Sequence, residues 1–174
     1  RLGLFLLLDA LRRVREEWPG LRFLCIGEGE DLPALKQYAE DCSISSMIVW
    51  KEFVALEQLP GLLQRVHAGV IGNGRETEQK HNYMLPVKML EYAAMEIPTI
   101  APRLKVIERY FDEDSAFFYR PDDAAELAAT IRSIYVNRGV LSSRIEGLRR
   151  FNATHNWNVM AKRYMSLLEE LVQR

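Results

Sequence analysis

Five short apolar runs, separated by helix-length segments, constrain this chain more than any other feature. Residues 21–26, 47–53, 66–71, 98–101 and 115–119 each carry too little polar side chain to face water on one side. Strands of that kind occur in parallel sheets covered on both faces. The segments between them supply the cover. Residues 4–14 read as a helix ending before Pro19-Gly20, and Asp31 with Pro33 opens another that runs to Asp41. A short helix over 60–65 and a longer one over 86–95, with proline in its first turn, follow. Pro121-Asp122-Asp123 starts a helix in which Leu127, Ile131 and Ile134 recur at helical spacing. Two more helices close the chain, marked by Leu141, Ile145 and Leu148, and by Met160, Tyr164, Leu167 and Leu171. Alternating strand and helix predict an α/β fold, a doubly wound parallel sheet with C-terminal helices. Ligands of such sheets sit beyond the carboxyl ends of the strands, here the loops after Ile26, Trp50, Ile71 and Ala101.

A chain of 174 residues, 48% hydrophobic and 27% charged, can bury one full core, so a single domain is expected over 1–174. The formal net charge is -1 and the basic residues are spread along the chain, which argues against a nucleic-acid partner. Cys25 and Cys42 form no Cys-x-x-Cys and suit two reduced thiols in a cytoplasmic protein. The longest apolar run, residues 4–8, is far short of the roughly 20 residues that span a bilayer. The chain starts at Arg1 and enters a helix at once, and we expect it to be part of a longer protein.

The loops carry few of the motifs that would fix their chemistry. Gly27-Glu28-Gly29 opens like a dinucleotide fingerprint, but Leu32 stands where its third glycine belongs. A close-approach turn remains, either with or without a ligand. No phosphate-binding Gly-x-x-x-x-Gly-Lys-Ser/Thr motif and no Gly-x-Ser-x-Gly elbow exist. His67, His81 and His155 lie apart from one another and from the cysteines, so no metal site is expected.

The helix opening at Pro86 is more informative. Lys88 and Glu91 are three apart and share a face, while Val87, Leu90 and Ala94 are expected to turn toward the sheet. Lys88 and Glu91 could be a surface ion pair worth about 0.2–0.5 kcal/mol. Yet lysine before glutamate is the weaker order, and a first-turn lysine opposes the helix dipole at a cost of about 0.3–1 kcal/mol. Its position is better explained by a bound anion, with phosphate the obvious candidate and Glu91 reaching the hydroxyls of an adjoining sugar. The preceding loop holds Arg75, Lys80, His81, Asn82 and Tyr83, and is either solvated or ordered over a sugar. Arg103 and Lys105, after the strand at 98–101, are expected to face the same crevice.

Residues 85–101, Leu-Pro-Val-Lys-Met-Leu-Glu-Tyr-Ala-Ala-Met-Glu-Ile-Pro-Thr-Ile-Ala, resemble the signature region of the glycosyltransferase group 1 superfamily (family four), in its bacterial surface-polysaccharide members. Gly3 with the helix after it, the strand followed by Gly27-Glu28-Gly29, the helix start at Pro121-Asp122-Asp123 and His155-Asn156-Trp157 resemble further parts of that pattern, in the same order. Departures are specific. Glu96 stands where glycine is common, Tyr83 where the first glutamate of a paired motif falls, and Leu2 where a lysine is usual, with Arg1 as a stand-in. Residues 103–108 replace a Gly-Gly-x-x-Glu loop and keep only Glu108.

The resemblance implies a Rossmann-like domain, the C-terminal half of a GT-B enzyme, that binds a nucleotide diphosphate sugar as substrate and uses no cofactor or metal. It implies hexosyl transfer with retention, in polysaccharide or glycoconjugate synthesis. The acceptor, a sugar or a lipid-linked one, would be held by an N-terminal domain outside this chain, so that the fragment alone is inactive. The full protein would be cytoplasmic, with peripheral attachment at the inner membrane face left open. Glu91 would hold the nucleotide ribose, Lys88 would meet the diphosphate, and Pro86, Tyr83, Arg75, Gly27, Gly29 and Arg103 would complete the binding site. A nucleotide-sugar epimerase of the same architecture and a non-catalytic sugar-nucleotide-binding module are the alternatives.

Overall fold

The computed structural model describes residues 3–72 and 85–172. Their elements run α1 (Leu4–Val14), β1 (Phe23–Ile26), α2 (Leu32–Asp41), a 3₁₀ turn (Ser45–Met47), β2 (Ile48–Lys51), α3 (Leu59–Leu63), β3 (Gly69–Val70), α4 (Val87–Ala94), β4 (Thr99–Pro102), α5 (Lys105–Glu108), β5 (Ala116–Tyr119), α6 (Ala124–Val136), α7 (Gly139–His155) and α8 (Trp157–Val172).

Every strand pairing among the described residues is parallel. β1 pairs with β2, placing Phe23 beside Ile48 and Ile26 beside Lys51. β4 lies between β3 and β5, with Ile100 beside both Val70 and Phe117. The two-residue alternation of a strand sorts side chains to opposite faces. Ile100, Phe117 and Tyr119 meet Leu7, Ala10 and Val14 of α1 and Leu127, Ala128 and Ile134 of α6. Ala101, Ala116 and Phe118 meet Met89 and Ala93 of α4, Ile107 of α5, and Leu148 and Phe151 of α7 on the other side. Helices therefore cover both faces of this sheet, as the apolar runs require, and the fold is Rossmann-like. Leu8 and Leu11 of α1, with Leu35 and Ala39 of α2, cover one face of β1 and β2.

Strands come out shorter than the apolar runs. Leu21 is held by a turn, its amide donating to Trp18 O at 3.0 Å, and the Val66 amide closes α3 on Leu63 O at 2.9 Å. Hydrophobicity marks burial and does not distinguish a strand from the turn feeding it. α5 is one turn long, too short to show a helical period, and goes unrecognised in the sequence; Leu104 and Ile107 anchor it in the core. The expected helix starts fare better. Asp123 caps α6, accepting from Ala125 N at 3.0 Å and Glu126 N at 2.9 Å.

Two glycines permit close packing. A Cβ at Gly147 would lie 2.0 Å from Asp114 O, so α7 can approach the turn before β5 only because residue 147 lacks a side chain. A Cβ at Gly69 would lie 2.4 Å from the Tyr92 ring, which is how α4 sits tight against β3.

Tyr119 links the layers chemically. Its side chain is fully buried, its hydroxyl donates to Ile71 O at 2.8 Å, and burial pushes its ionisation well above the usual tyrosine range. Tyr119→Phe should keep the packing but strand the Ile71 carbonyl, lowering stability by about 1–2 kcal/mol in a urea melt; an unchanged midpoint would show that the bond contributes nothing. At Asp123, the Glu126 amide, then Arg120 and the Ala125 amide, hold the carboxyl below its ordinary range. Because the folded pKa is the lower one, the charged cap stabilises fully above the unfolded value of about 3.9 and fades as pH falls through the folded value. Asp123→Asn should therefore be less stable than the natural chain at neutral pH, with the gap narrowing below about pH 4.

Candidate functional site

α4 is built to present its first turn. Met89 and Ala93 are fully buried and Tyr92 half-buried, which sets the helix on the sheet along this stripe. Val87 and Leu90 are 65% and 41% exposed, and Ala94 is exposed, which corrects the expectation that these three turn inward. Residues 85–95 are apolar almost throughout, so their sequence fits more than one inward stripe. The tight Gly69–Tyr92 contact selects the one observed.

The C-terminal end of α4 accounts for the residue found where glycine is common. Glu96 has φ 57, a left-handed conformation in which glycine is least strained. Its amide donates to Ala93 O at 3.0 Å and the Ile97 amide to Tyr92 O at 2.9 Å, the paired bonds of a Schellman turn. Arg149 holds the Glu96 carboxylate at 2.9 Å, and Asn152 donates to Ala93 O at 2.6 Å. The fold thus tolerates glutamate here by tying it to α7.

At the other end, Pro86 is the N-cap and provides no side-chain hydrogen bond, and the first turn contains no acidic residue. The first amides of a helix have no acceptor within it and carry partial positive charge. Lys88 and Glu91 are both exposed, and among the described residues neither joins an ion pair. The short-range pairing that would account for them without a ligand is not formed. Lys88 bears on Cys25 in β1: burial pushes the Cys25 thiol up, and the lysine charge works against it. Cys25 and Cys42 are both free thiols, half-buried rather than fully buried.

The β1 loop leaves its strand at the carboxyl end of β1. The Gly27 amide donates to Lys51 O at 3.0 Å, extending the β1–β2 pairing by one bond. Gly27 has φ 139, disfavoured for any other residue, and among the described residues no atom beyond the chain neighbours lies within 4 Å of where a Cβ would stand on Gly27 or Gly29. The main chain is thus bare on this edge, open to close approach. Glu28 accepts from Phe53 N at 3.3 Å, tying the loops after β1 and β2 together. A cavity of about 230 Å³ lies beside α4, lined by Leu4, Leu7, Val70, Ile71, Pro86 and Lys88.

Arg103 leaves the end of β4 with its amide on Tyr119 O at 2.8 Å. Its guanidinium binds Glu108 at 2.8 Å and Glu113 at 2.6 Å and lies over the Phe118 ring at 4.8 Å. It is on the expected edge, but its charge is taken up by two carboxylates, not left open to the crevice as the sequence suggested. Arg75 and Tyr83 lie outside the described residues, as do Lys80, His81 and Asn82.

A larger cavity, about 520 Å³, lies between α1 and α6 and includes Asp9, Arg13, Arg120, Asp122 and Asp123. It is a poor anion site. The α6 amides there are already capped by Asp123, and its carboxylates outnumber its cations. Among the described residues no cluster could hold a metal ion, and no helix is long and apolar enough to cross a membrane.

His155-Asn156-Trp157 marks the break between α7 and α8. Asn156 donates to Asn152 O at 2.9 Å and accepts from Val159 N at 3.0 Å, while Trp157 is largely exposed. The motif caps a helix here and does not reach the carboxyl edge through any hydrogen bond of Asn156.

Solved structures share this fold at low sequence identity. Sucrose-phosphate synthase from Thermosynechococcus elongatus superposes with a TM-score of 0.81 at 17% identity, covering 99% of this chain and 43% of its own. HepE of Anabaena, solved with UDP and glucose, gives 0.78 at 13% identity, covering 97% and 45%. The C-terminal domain of the group 1 family glycosyl transferase LpcC from Francisella tularensis gives 0.70 at 16%, covering 88% and 78%. The chain thus spans less than half of the first two proteins. Comparison with curated proteins gives no sequence match. Residues 1–137 match the family described as glycosyl transferases group 1. This chain belongs to the group 1 glycosyl transferases, as a C-terminal Rossmann-like domain of their GT-B fold.

Proposed function

We propose that this domain binds the nucleotide diphosphate sugar donor of a glycosyltransferase, with the diphosphate at the first turn of α4. The observation carrying this is the uncapped N-terminus of α4 with Lys88 unpaired among the described residues, beside a cavity at the ends of β3 and α1. Free amides and an ammonium together favour an anion, and a glycine turn lets a flat or bulky group come close. Glu91, one turn on, supplies a carboxylate that accepts hydrogen bonds from ribose hydroxyls. HepE, which shares the fold, was solved with UDP and glucose, which supports a nucleotide sugar as the ligand class.

In the reaction proposed, the acceptor oxygen bonds to the anomeric carbon of the donor, the nucleoside diphosphate leaves with the bonding electrons, and the acceptor's hydroxyl proton passes to the departing diphosphate. Negative charge grows on the diphosphate as the bond breaks. Fixed amides and Lys88 stabilise that charge more than the ground state, which lowers the barrier. Retention at the anomeric carbon, hexose as the sugar, and a role in surface polysaccharide or glycoconjugate synthesis belong to the same proposal. So does an acceptor-binding domain outside residues 1–174, with Arg75 and Tyr83 contacting the donor sugar and diphosphate. Transfer then needs both domains.

Calorimetric titration with a panel of nucleoside diphosphates and their glucose and galactose esters tests the binding step. At least one should bind. Lys88→Ala and Glu91→Ala should each weaken it about tenfold, the value of one charge-assisted hydrogen bond, and leave the urea midpoint unchanged. If both variants bound as tightly as the natural chain, the diphosphate would have to lie elsewhere.

A further inference from the structure

α8 packs less than any other long helix of the fold. None of its residues is buried, and from Lys162 to Val172 every one is exposed, so among the described residues this stretch is left uncovered on all sides. It is nevertheless apolar along one stripe. Trp157, Met160, Tyr164, Leu167 and Leu171 recur at alternating spacings of three and four, the pattern by which two helices interlock. Tyr164 is 62% exposed, Leu167 53% and Leu171 57%. Burying such a stripe against a matching surface is favourable, and its charges say which surface matches. Lys162 and Arg163 lie in the first half of the helix and Glu169 and Glu170 one heptad later. Among the described residues none of the four joins an ion pair.

We propose that α8 pairs antiparallel with α8 of a second copy of this chain. Setting Tyr164 against Leu167 of the second copy puts Met160 against its Leu171 and Ala161 against its Leu168. The same register brings Arg163, which flanks the stripe, against Glu170 of the second copy. Two-fold symmetry repeats each contact in reverse, so Leu167 meets Tyr164 and Glu170 meets Arg163 on the other side. The register that closes the apolar layers is thus the one that pairs the charges. A parallel pair has no such match. It sets Arg163 beside Leu168 and aligns cations with cations and anions with anions. A lipid surface fits less well, because a helix that lies on one carries an excess of Lys and Arg on its polar face, whereas α8 has two cations and two anions.

The geometry leaves room for two copies. The two-fold axis falls beside Met165 and Ser166, about 13 Å along the helix from Trp157. The remainder of each copy joins α8 at Asn156, so the two bodies sit at opposite ends of the pair. The pairing uses α8 alone and does not depend on what α4 binds. Helices of this length meet over the low end of the interface range, below about 1,200 Å², so dissociation in the micromolar range is expected.

Sedimentation equilibrium of the 174-residue chain between about 1 and 200 μM tests the pairing, with dimer expected at the upper end. Arg163→Glu and Glu170→Arg should each weaken the dimer at least tenfold, since each sets like charges together. Mixing these two single variants should restore it, because an antiparallel pair of one with the other regains both ion pairs. All the altered residues are exposed, so the urea midpoint of the monomer should not move. A chain that stays monomeric at 200 μM would overturn the proposal, leaving α8 to some other partner. So would a dimer that ignores both substitutions, a mixture that fails to recover, or a monomer that sediments with phosphatidylserine-containing vesicles and is released from them by Leu171→Glu.

Discussion

The seating of α4 on β3 is the contact on which the rest of the site depends. Gly69 lets the Tyr92 ring come within a distance no other residue would allow, and Met89 and Ala93 complete the buried stripe. With that stripe fixed, Lys88 and Glu91 have to point outward, and the free amides of the first turn have to open at the carboxyl edge. Asn152 and Arg149 of α7 then hold the far end of the same helix. The helix is thereby fixed at both ends, which keeps a small cluster of partial and full positive charge in one place. Preorganised charge of this kind is worth more than charge that must be gathered when the ligand arrives.

Electrostatics separate this edge from its rivals. Arg103 and the cavity between α1 and α6 also bring cations to the upper rim of the fold, yet each is matched by carboxylates close at hand. Lys88 has no such match among the described residues, and the amides beside it lack a capping side chain. That contrast sets the first turn of α4 apart as the part of this edge most open to an anion, while Arg103 is tied into the fold.

Much of the fold was legible because burial on both faces forces strands to be apolar throughout, and the alternation with helices leaves few ways to cover them. The cap at Asp123 and the glycine-bounded end of β1 were legible for local reasons: side-chain acceptors at helix starts and glycines at positive φ have few other uses. What failed to show in sequence has a common cause. α4 is apolar on nearly every side, so Val87, Leu90 and Ala94 fit the inward stripe as well as Met89 and Ala93 did, and only a contact with distant Gly69 decides between them. Arg103 looked available because its partners Glu108 and Glu113 come from the turn beyond α5, a helix too short to recognise. The left-handed Glu96 was visible only as a departure from a glycine, and its tether to Arg149 lies far along the chain.

The binding mode we propose puts an anionic nucleotide group on the first turn of α4, at the carboxyl edge where β1 also ends in the Gly27–Gly29 loop. Backbone amide chemical shifts on titration with uridine diphosphate test it most directly. The largest changes should fall on Val87 and Lys88, with a second group at Gly27, Glu28 and Gly29. Changes concentrated instead at Asp9, Arg120 and Asp123, with α4 unaffected, would contradict it.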